Sequence, residues 1–373
     1  MNSAITASLV VLRGSLSSEE PGARGFERLA RNPDCTRLRA LVMAGISPST
    51  AAVQVYGEPD REGQSPFAIA IGNRFDRIVA ENGASILLDL YRSKGRLATH
   101  ECKVVIVPDV IPLTTPRNAP HIMALRHAFT RHLLLQKARG DASAPNLIVK
   151  PRIPVTFLGR DYYIEPDALV AADSDTFYQP IEVKSYPDRA GKTDDADVRG
   201  ACRQAAVAVV ALRNIVGRLG MPNVNLVVPS RGDLVFRKPG SLQASLRPMT
   251  LEGEVASLER ALEEAPRNLV ELVTILPAGA SLDDRAVLDS ITNSYRSGCK
   301  EFCALAQPCK RAALASGDPT VLGDFAREKL AAAVTISRSL DLMNGCGAPA
   351  RTSAERLLQE QLQEALDQYR RAV

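Results

Sequence analysis

Two acidic side chains and a lysine are spaced along two successive apolar stretches in a way that suits metal-dependent hydrolysis. Asp167 follows Pro166 on the first stretch, and Glu182 and Lys184 lie on the second. Because side chains alternate along a strand, Glu182 and Lys184 point to one face and Val183 to the other. A hairpin brings Asp167 alongside them. Two carboxylates and the Val183 carbonyl form an oxygen-rich site for Mg²⁺ or Mn²⁺, and the lysine can orient an attacking water.

These residues resemble a known nuclease motif. Pro166-Asp167 followed by Glu182-Val183-Lys184 looks like the PD-(D/E)xK motif of the restriction-endonuclease-like nucleases. Within that superfamily the chain is similar to the RecB-like branch, in which a helix after the lysine strand carries a glutamine. Gln204 occupies that position in this chain.

Two further positions enter the comparison with that branch. Ala208 stands where the branch usually has a tyrosine after the glutamine. Upstream, Gly72 and Asp76 match the Gly-x-x-x-acid helix of the family. The resemblance therefore implies four catalytic residues, which are Asp167, Glu182, Lys184 and Gln204. It implies four ligands for Mg²⁺ or Mn²⁺, which are Asp167, Glu182, the Val183 carbonyl and Asp76.

A second acidic hairpin competes with this assignment. Glu101-Cys102-Lys103 is another Glu-x-Lys copy on an apolar stretch, and Asp89 precedes it on a segment that we also predict to be a strand. Such a tripeptide occurs about once by chance in a chain of this length. No Ala-rich helix with a polar residue follows the second copy, so we rank it below the first. The alternative for the first copy is an ordinary charged surface hairpin.

Three of the seven cysteines fall within the short segment CKEFCALAQPC, which begins at Cys299. Cys299 and Cys303 are four residues apart, so on a helix both thiols face one way, and Pro308 is predicted to turn the chain just before Cys309. An odd number of cysteines in a large chain argues against a disulfide framework. Sulfur ligands of this kind suit either Zn²⁺ or an iron–sulfur cluster.

The cysteine segment is similar to the C-terminal triad of the iron–sulfur RecB-like nucleases, including the CRISPR-associated exonucleases. In that branch the fourth cysteine lies far upstream of the nuclease core, and Cys35 occupies that place. The resemblance implies a 4Fe-4S cluster on Cys35, Cys299, Cys303 and Cys309, although the first two cysteines of the triad are usually one residue closer. Outside this set we expect small buried side chains, at Cys102, Cys202 and Cys346.

One basic stretch of the chain can attract phosphate. The net charge of +4 is too small to indicate nucleic-acid binding by itself. Between Arg117 and Arg160, however, Asp141 is the only acidic residue among many basic ones. We predict that Arg126 and Arg131, on an amphipathic helix, contact the phosphates of DNA. A solvated helix face explains the same pattern equally well.

The order of segments predicts an α/β protein. Strands are expected at 1–16, 84–97, 101–113, 147–159, 162–172, 179–186, 224–230 and 233–240, and helices at 121–138, 197–220, 251–265 and 352–371. The resemblance implies a restriction-endonuclease-like mixed sheet flanked by helices, with a helical iron–sulfur region towards the C-terminus. We divide the chain into an N-terminal segment (1–60), a nuclease core (61–245), a cysteine-triad region (246–350) and an amphipathic C-terminal helix (351–373).

Composition bounds the location and the partners. The 45% hydrophobic and 24% charged residues are typical of a globular chain. We see neither a membrane-spanning run nor the charged leader of a secretory signal, so we expect a cytoplasmic protein. The resemblance implies a DNA nuclease in repair, CRISPR or phage defence, acting on single-stranded DNA or single-stranded ends, with a helicase or similar subunit as a further partner. The alternative is a catalytically idle DNA-binding subunit of a larger complex.

Overall fold

The computed structural model describes residues 2–59, 66–98, 102–111, 120–172, 175–189, 193, 195–219 and 226–372. The helices are α1 (Asn2–Arg13), α2 (Ala23–Arg31), α3 (Thr36–Ala44), α4 (Pro48–Gln54), α5 (Pro66–Ser93), α6 (Val107–Val110), α7 (Pro120–Ala138), α8 (Asp195–Gly217), α9 (Glu252–Ile275), α10 (Arg285–Ser290), α11 (Ala306–Ser316), α12 (Asp324–Lys329), α13 (Ile336–Asn344) and α14 (Ser353–Ala372). Short 3₁₀ turns cover Ser297–Glu301, Pro319–Leu322 and Ala331–Ala333.

The strands form a mixed sheet and a separate hairpin. They are β1 (Val104–Ile106), β2 (Leu147–Val149), β3 (Ile153–Phe157), β4 (Arg160–Ile164), β5 (Ala168–Val170), β6 (Gln179–Pro187), β7 (Arg231–Arg237) and β8 (Ala244–Thr250). The six-stranded sheet has the order β1-β2-β5-β6-β7-β8, and β3 pairs with β4 apart from it. The β1–β2 and β6–β7 pairs are parallel and the other pairs are antiparallel, so the expected mixed α/β sheet is present.

Helices cover both faces of the sheet. Leu169 and Leu234 face the layer that contains α8, α2, α3 and α9. Their strand neighbours Val170 and Val235 face α5 instead. This alternation is the period of two that a sheet buried on both sides imposes. The N-terminal helices and the segment around the three clustered cysteines belong to the same hydrophobic cluster as α8, so both pack onto one side of the sheet.

Two segments that the sequence analysis assigns to strands are helical. The N-terminal patch forms α1, and the predicted strand at 84–97 is the second half of α5. The helical conformation of α5 is interrupted at Glu81–Ala84, where Asn82, Gly83 and Ala84 have positive φ. After this break Leu87 and Tyr91 are buried one helical turn apart. A turn follows α5, with Gly95 at a φ of +64°. The apolar content of this segment is compatible with a strand, but the spacing of its buried residues is that of a helix.

Four other predicted strands are divided, shorter or displaced. The segments at 147–159 and 162–172 are each divided between the main sheet and the β3–β4 hairpin, so Asp167 lies between two strands rather than within one. The strand expected at 101–113 is limited to β1, after which α6 begins, and residues 112 and 113 lie outside the described part. Residues 226–230 form no strand, although they were expected to pair with 233–240. β7 instead pairs with β6 on one side and with β8 on the other, so both of its edges are occupied.

The C-terminal helix α14 packs on its own chain. Thr352 caps it by accepting a hydrogen bond from the Glu355 amide at 3.0 Å, as the capping motif predicts. Leu358 is buried against Leu342 of α13, whereas Tyr369 is 66% exposed. None of the described helices combines the length and the apolar composition that crossing a bilayer requires.

A buried carboxylate joins α5 to the sheet away from the candidate site. Asp233 of β7 is 1% exposed. It accepts hydrogen bonds from Tyr91, from Arg96 at 2.7 Å and from Gln179 at 2.5 Å. These three donors lose their common acceptor if the carboxylate is removed.

We therefore expect Asp233→Ala to lower the free energy of unfolding by about 3–5 kcal/mol, because it leaves a partly buried charge and two buried donors unpaired. The matched control is Asp89→Ala, which removes an exposed carboxylate 3.5 Å from Arg92 on the same helix. That change should stay within about 0.5 kcal/mol. Urea unfolding measures both values. Equal midpoints for the two variants would show that the Asp233 network does not stabilise the fold.

Candidate active site and cysteine cluster

The candidate site lies on the hairpin of β5 and β6. Asp167 directly precedes β5, and the register of the pair places it beside the middle of β6. One Asp167 oxygen, Oδ2, accepts a hydrogen bond from the Val183 amide at 2.8 Å. Val183 belongs to the cluster that faces α5, whereas Lys184 reaches a side chain of α8. The alternation inferred from sequence is therefore present, and the hairpin brings Asp167 to Glu182 and Lys184.

Lys184 is held from two sides. Its ammonium Nζ donates to Glu182 Oε1 at 2.5 Å and to Gln204 Oε1 at 2.7 Å. Glu182 is 9% exposed, and burial raises its pKa more than the attraction of Lys184 lowers it. Burial lowers the pKa of Lys184, but the attraction of Glu182 and Asp167 outweighs that effect, so the net shift is upward. Glu182 and Lys184 therefore form a largely buried ion pair in which each group favours the charged form of the other.

Asp76 completes a group of three carboxylates. It lies on α5 and lines a cleft of about 930 Å³ together with Asp167 and Glu182. Burial, followed by repulsion from Asp167, raises the pKa of Asp76. The Gly-x-x-x-acid helix suggested by the resemblance therefore does place its acid at the hairpin.

A second cleft of about 700 Å³ reaches the same site from the other side. The two clefts share six lining residues, which are Arg24, Arg28, Asp76, Val183, Lys184 and Gln204. The candidate catalytic lysine is thus accessible from two directions. Arg24 of α2 is exposed there and repels the Lys184 ammonium electrostatically. An anion that entered either cleft would meet both positive charges.

Lys150 belongs to the site and was missed by the sequence analysis. Its ammonium donates to Asp167 Oδ1, and its backbone amide donates to the Asp167 carbonyl at 3.0 Å. Burial lowers the pKa of Lys150, but attraction to Asp167 outweighs it and the net shift is upward. The pairing of Val149 with Ala168 in β2 and β5 produces this contact. Only this strand pairing reveals that Lys150 contacts Asp167, since no local motif in the sequence marks Lys150.

Glu27 was also missed. This residue of α2 is 6% exposed, and its Oε2 accepts a hydrogen bond from Gln204 Nε2 at 3.1 Å. Its sequence context, GARGFERLAR, is that of an amphipathic surface helix, and only the packing of α2 against α8 brings it to the site.

The donor atoms at the hairpin suit a hard divalent cation. Among the described residues, no group of three or more His, Cys, Asp or Glu side chains is placed so that it could hold a metal ion. The chemistry of the donors nevertheless fits Mg²⁺ or Mn²⁺, because Asp76, Asp167 and Glu182 offer only oxygen. Their mutual repulsion also raises the pKa values of Asp76 and Glu182, after the larger effect of burial. A bound cation would relieve that repulsion.

The four cysteines singled out from sequence pack in one hydrophobic cluster, although the described cysteines, like the carboxylates, form no group placed to hold a metal ion. Burial raises the pKa of Cys309 to about 12, and repulsion from Cys35 and Cys299 adds to the shift. Burial also raises the pKa of Cys303 well above its usual range, and the other three cysteines add to that shift. The pKa of Cys299 is raised by burial and by Cys35. Cys35 is far in sequence from Cys299, Cys303 and Cys309, yet it raises the pKa of each of these three thiols.

Hydrogen-bond donors already point at these sulfurs. Cys299 Sγ accepts from the Arg296 amide at 3.3 Å and from Asn32 at 3.6 Å. Cys309 Sγ accepts from the buried guanidinium of Arg37 at 3.6 Å. Such donors stabilise negative charge on sulfur, so the surroundings fit cysteine ligands of either a zinc ion or an iron–sulfur cluster.

Local geometry differs in part from the sequence analysis. The Cys303 amide donates to the Cys299 carbonyl at 2.9 Å, but the 3₁₀ turn that contains Cys299 ends at Glu301, so the two cysteines do not lie on one helix as predicted. Pro308 likewise does not turn the chain, since it lies in the first turn of α11, where proline is tolerated. Cys346 is exposed, so its predicted burial is wrong, while Cys102 and Cys202 are half-buried.

The basic helix α7 provides one of the two expected phosphate contacts at most. Arg126 is 1% exposed, and its guanidinium donates to Glu165 at 3.0 Å and to the Lys150 carbonyl at 3.1 Å. The prediction that Arg126 contacts DNA is therefore corrected, since its buried guanidinium binds Glu165 and the Lys150 carbonyl instead. Arg131 is exposed, and its contact with DNA stays a prediction. Arg117 lies outside the described residues.

Among the described residues, Asp89 and Lys103 do not form the competing hairpin that was predicted. Asp89 lies on α5 with its carboxylate 74% exposed, so it is not on a strand. Lys103 donates to the Ala142 carbonyl at 2.7 Å, and Glu101 lies outside the described residues.

The raised pKa of Asp76 gives a prediction about stability. A carboxyl whose pKa is higher in the folded state stabilises the fold below its unfolded pKa and loses that contribution as pH rises through the folded pKa. Asp76→Asn should therefore raise the melting temperature of the metal-free protein at pH 8 and have little effect at pH 4. Thermal unfolding in EDTA at the two pH values checks this. A larger gain at pH 4 would contradict it.

Comparisons with known proteins add little to this geometry. No family model matches the sequence, and no curated protein matches it. Among solved structures the chain is similar to SSO0001, known from a crystal structure, with 13% identity over 52% of this chain and 95% of that one. The TM-score of that match is 0.21, which carries no argument about fold or function.

Proposed function

We propose that this chain is a metal-dependent deoxyribonuclease of the RecB-like PD-(D/E)xK class, with a restriction-endonuclease-like fold. The observation that carries the proposal is the convergence of Asp167, Glu182, Lys184 and Gln204 where two clefts meet. Two carboxylates, a lysine and an amide at one open site suit hydrolysis of a phosphodiester. They serve no evident purpose in a surface hairpin, because their burial works against stability.

The residues divide the work as follows. Asp167, Glu182, Asp76 and the Val183 carbonyl would hold Mg²⁺ or Mn²⁺, which supplies a Lewis acid and an activated water when bound. Lys184 is fixed by Glu182 and Gln204, so its ammonium is oriented before substrate arrives. A positive charge so placed stabilises the negative charge that grows on the phosphate in the transition state.

Basic residues of the clefts support DNA as the substrate. Arg24 and Arg28 line both clefts beside Lys184, and Arg131 is exposed on α7. Coulomb attraction to phosphates supplies affinity without sequence readout. We propose single-stranded DNA or single-stranded ends as the substrate. A helicase or another subunit of a repair or defence system would deliver them.

The intact set of site residues separates this proposal from a catalytically idle DNA-binding subunit. A subunit that only binds DNA has no need of a buried lysine held by Glu182 and Gln204. In such an idle subunit, replacement of Glu182 or Gln204 by an apolar residue would remove a buried polar group whose burial lowers stability.

We further propose that Cys35, Cys299, Cys303 and Cys309 bind one 4Fe-4S cluster with a structural role, with zinc as the alternative. The neighbourhood already joins distant parts of the chain, since Arg37 and Cys309 are 272 residues apart. Closing a loop of that length restricts the unfolded ensemble, although the gain grows slowly with length. Hydrolysis transfers no electrons, so the cluster need not change its redox state.

The first test of the proposed function is cleavage of labelled single- and double-stranded DNA with Mn²⁺. Asp167→Ala, Glu182→Ala and Lys184→Ala should each lower the rate by about 10²-fold or more, since each removes a group from the reacting centre. EDTA should abolish cleavage. Circular dichroism should show that the three variants stay folded.

The matched control is the competing Glu-x-Lys copy. Glu101→Ala and Lys103→Ala should keep wild-type activity. Loss of cleavage in these two variants, with cleavage retained in the Glu182 and Lys184 variants, would assign the chemistry to the other segment. Absence of cleavage in wild-type protein loaded with Mn²⁺ on every substrate would support the idle-subunit alternative.

The cluster proposal is tested by metal analysis. Aerobically purified protein should be brown and contain about four iron and four sulfide per chain. Cys→Ser at any of the four positions should lower the metal content and the yield of soluble protein. Cys346→Ser is the control and should change neither, because Cys346 is exposed and is not one of the four proposed ligands. One zinc and no iron would replace the cluster with a zinc site.

A further inference from the structure

Helix α2 lies between the cysteine segment and the candidate catalytic lysine. The second cleft separates the two regions, and its walls come from both of them and from α2. From α2 it is lined by Glu27 and Arg31, from the candidate site by Lys184 and Gln204, and from the cysteine segment by Glu301, Phe302 and Cys303. Side chains of α2 make polar contacts in both directions.

Towards the candidate site, Glu27 determines how Gln204 is oriented. The Gln204 amide donates through Nε2 to Glu27 at 3.1 Å and accepts through Oε1 from Lys184 at 2.7 Å. A lysine ammonium can only donate, and a carboxylate can only accept. The amide therefore has a single arrangement that satisfies both neighbours. Removing the Glu27 carboxylate removes the reason for Gln204 to present its oxygen to Lys184.

Towards the cysteines, Arg31 connects Glu27 to the segment between Cys299 and Cys303. One guanidinium nitrogen lies 3.7 Å from Glu27 Oε1, and the other donates to Glu301 at 3.1 Å. The same guanidinium stacks over the Phe302 ring, 4.6 Å from its centroid. Arg31 is 12% exposed and Glu27 is 8% exposed as side chains, so water screens that pair only weakly, whereas the Glu301 side chain is 41% exposed and its contact with Arg31 is more strongly screened.

We propose that Glu27 is a positioning residue for Lys184, and that the cysteine segment sets its position through Arg31. The series runs from Glu301 through Arg31, Glu27 and Gln204 to Lys184. Each member contacts the next, so a displaced cysteine segment releases Arg31 and then the Gln204 amide. This inference rests on the proposed nuclease function for its meaning, but the contacts themselves can be tested without any activity.

The test is the rate at which an amine-reactive reagent, sulfosuccinimidyl acetate, labels Lys184, followed by mass spectrometry on the full-length protein as purified. In the wild type Lys184 is bonded on two sides and should react slowly. Glu27→Ala should raise the labelling rate roughly threefold to tenfold, the range given by loss of one net hydrogen bond. Glu27→Gln retains an acceptor for Gln204 and should give a smaller rise. It also serves if the alanine variant does not fold.

Two further variants test the connection to the cysteines. Glu301→Gln weakens the contact with Arg31 and should also raise Lys184 labelling. The matched control is Asp34→Asn, which breaks the ion pair between Asp34 and Arg296 at the same segment without touching α2. It should leave Lys184 labelling unchanged. The positioning role is overturned if folded Glu27→Ala labels Lys184 at the wild-type rate. The connection is overturned if Glu301→Gln behaves like Asp34→Asn.

Activity provides a second readout that separates the two hypotheses. In a protein that cleaves DNA, Glu27→Ala should lower kcat and leave KM unchanged, because Glu27 touches Gln204 and not the substrate. A wild-type protein that cleaves no DNA would refute the proposed function while leaving the labelling results intact. A change confined to KM would instead assign Glu27 to substrate binding and overturn the positioning role.

Discussion

The antiparallel pairing of β5 with β6 is the constraint on which the candidate site depends. Its register places Asp167 against the Val183 amide and leaves Glu182 and Lys184 on the opposite side of β6 from α5. A slip of one residue would turn every side chain of β6 to the other face. The slip is resisted because both faces of β6 are covered: Ile181 and Val183 are buried against α5, and α8 packs on the other face.

The same pairing concentrates charge where the fold can least tolerate it. Burial and mutual repulsion raise the pKa values of Asp76 and Glu182, and two lysines lie among the carboxylates. Lys150 neutralises Asp167, and Lys184 neutralises Glu182. Such an arrangement lowers stability relative to an apolar packing of the same volume. Buried charges that lower stability are expected where a protein uses them for chemistry.

Helix α2 connects the N-terminal helices and the cysteine segment to the sheet. It packs against α8, α3 and α9, and its polar face reaches Gln204 on one side and the cysteine segment on the other. The N-terminal helices and the region after β8 therefore complete the α8 face of the sheet together. Residues that bind the proposed cluster and residues that support Lys184 are consequently parts of one packed layer.

Local pattern and motif spacing were enough to predict the α/β class, helices α7, α8 and α14, and the strand that carries Glu182 and Lys184. These features depend on side-chain period and on residues close in sequence. Tertiary structure alone decided that Arg126 is buried and that Lys150 and Glu27 reach the site. Each of these depends on which surfaces meet across the fold, and contacts between residues far apart in the chain leave no local periodicity to detect.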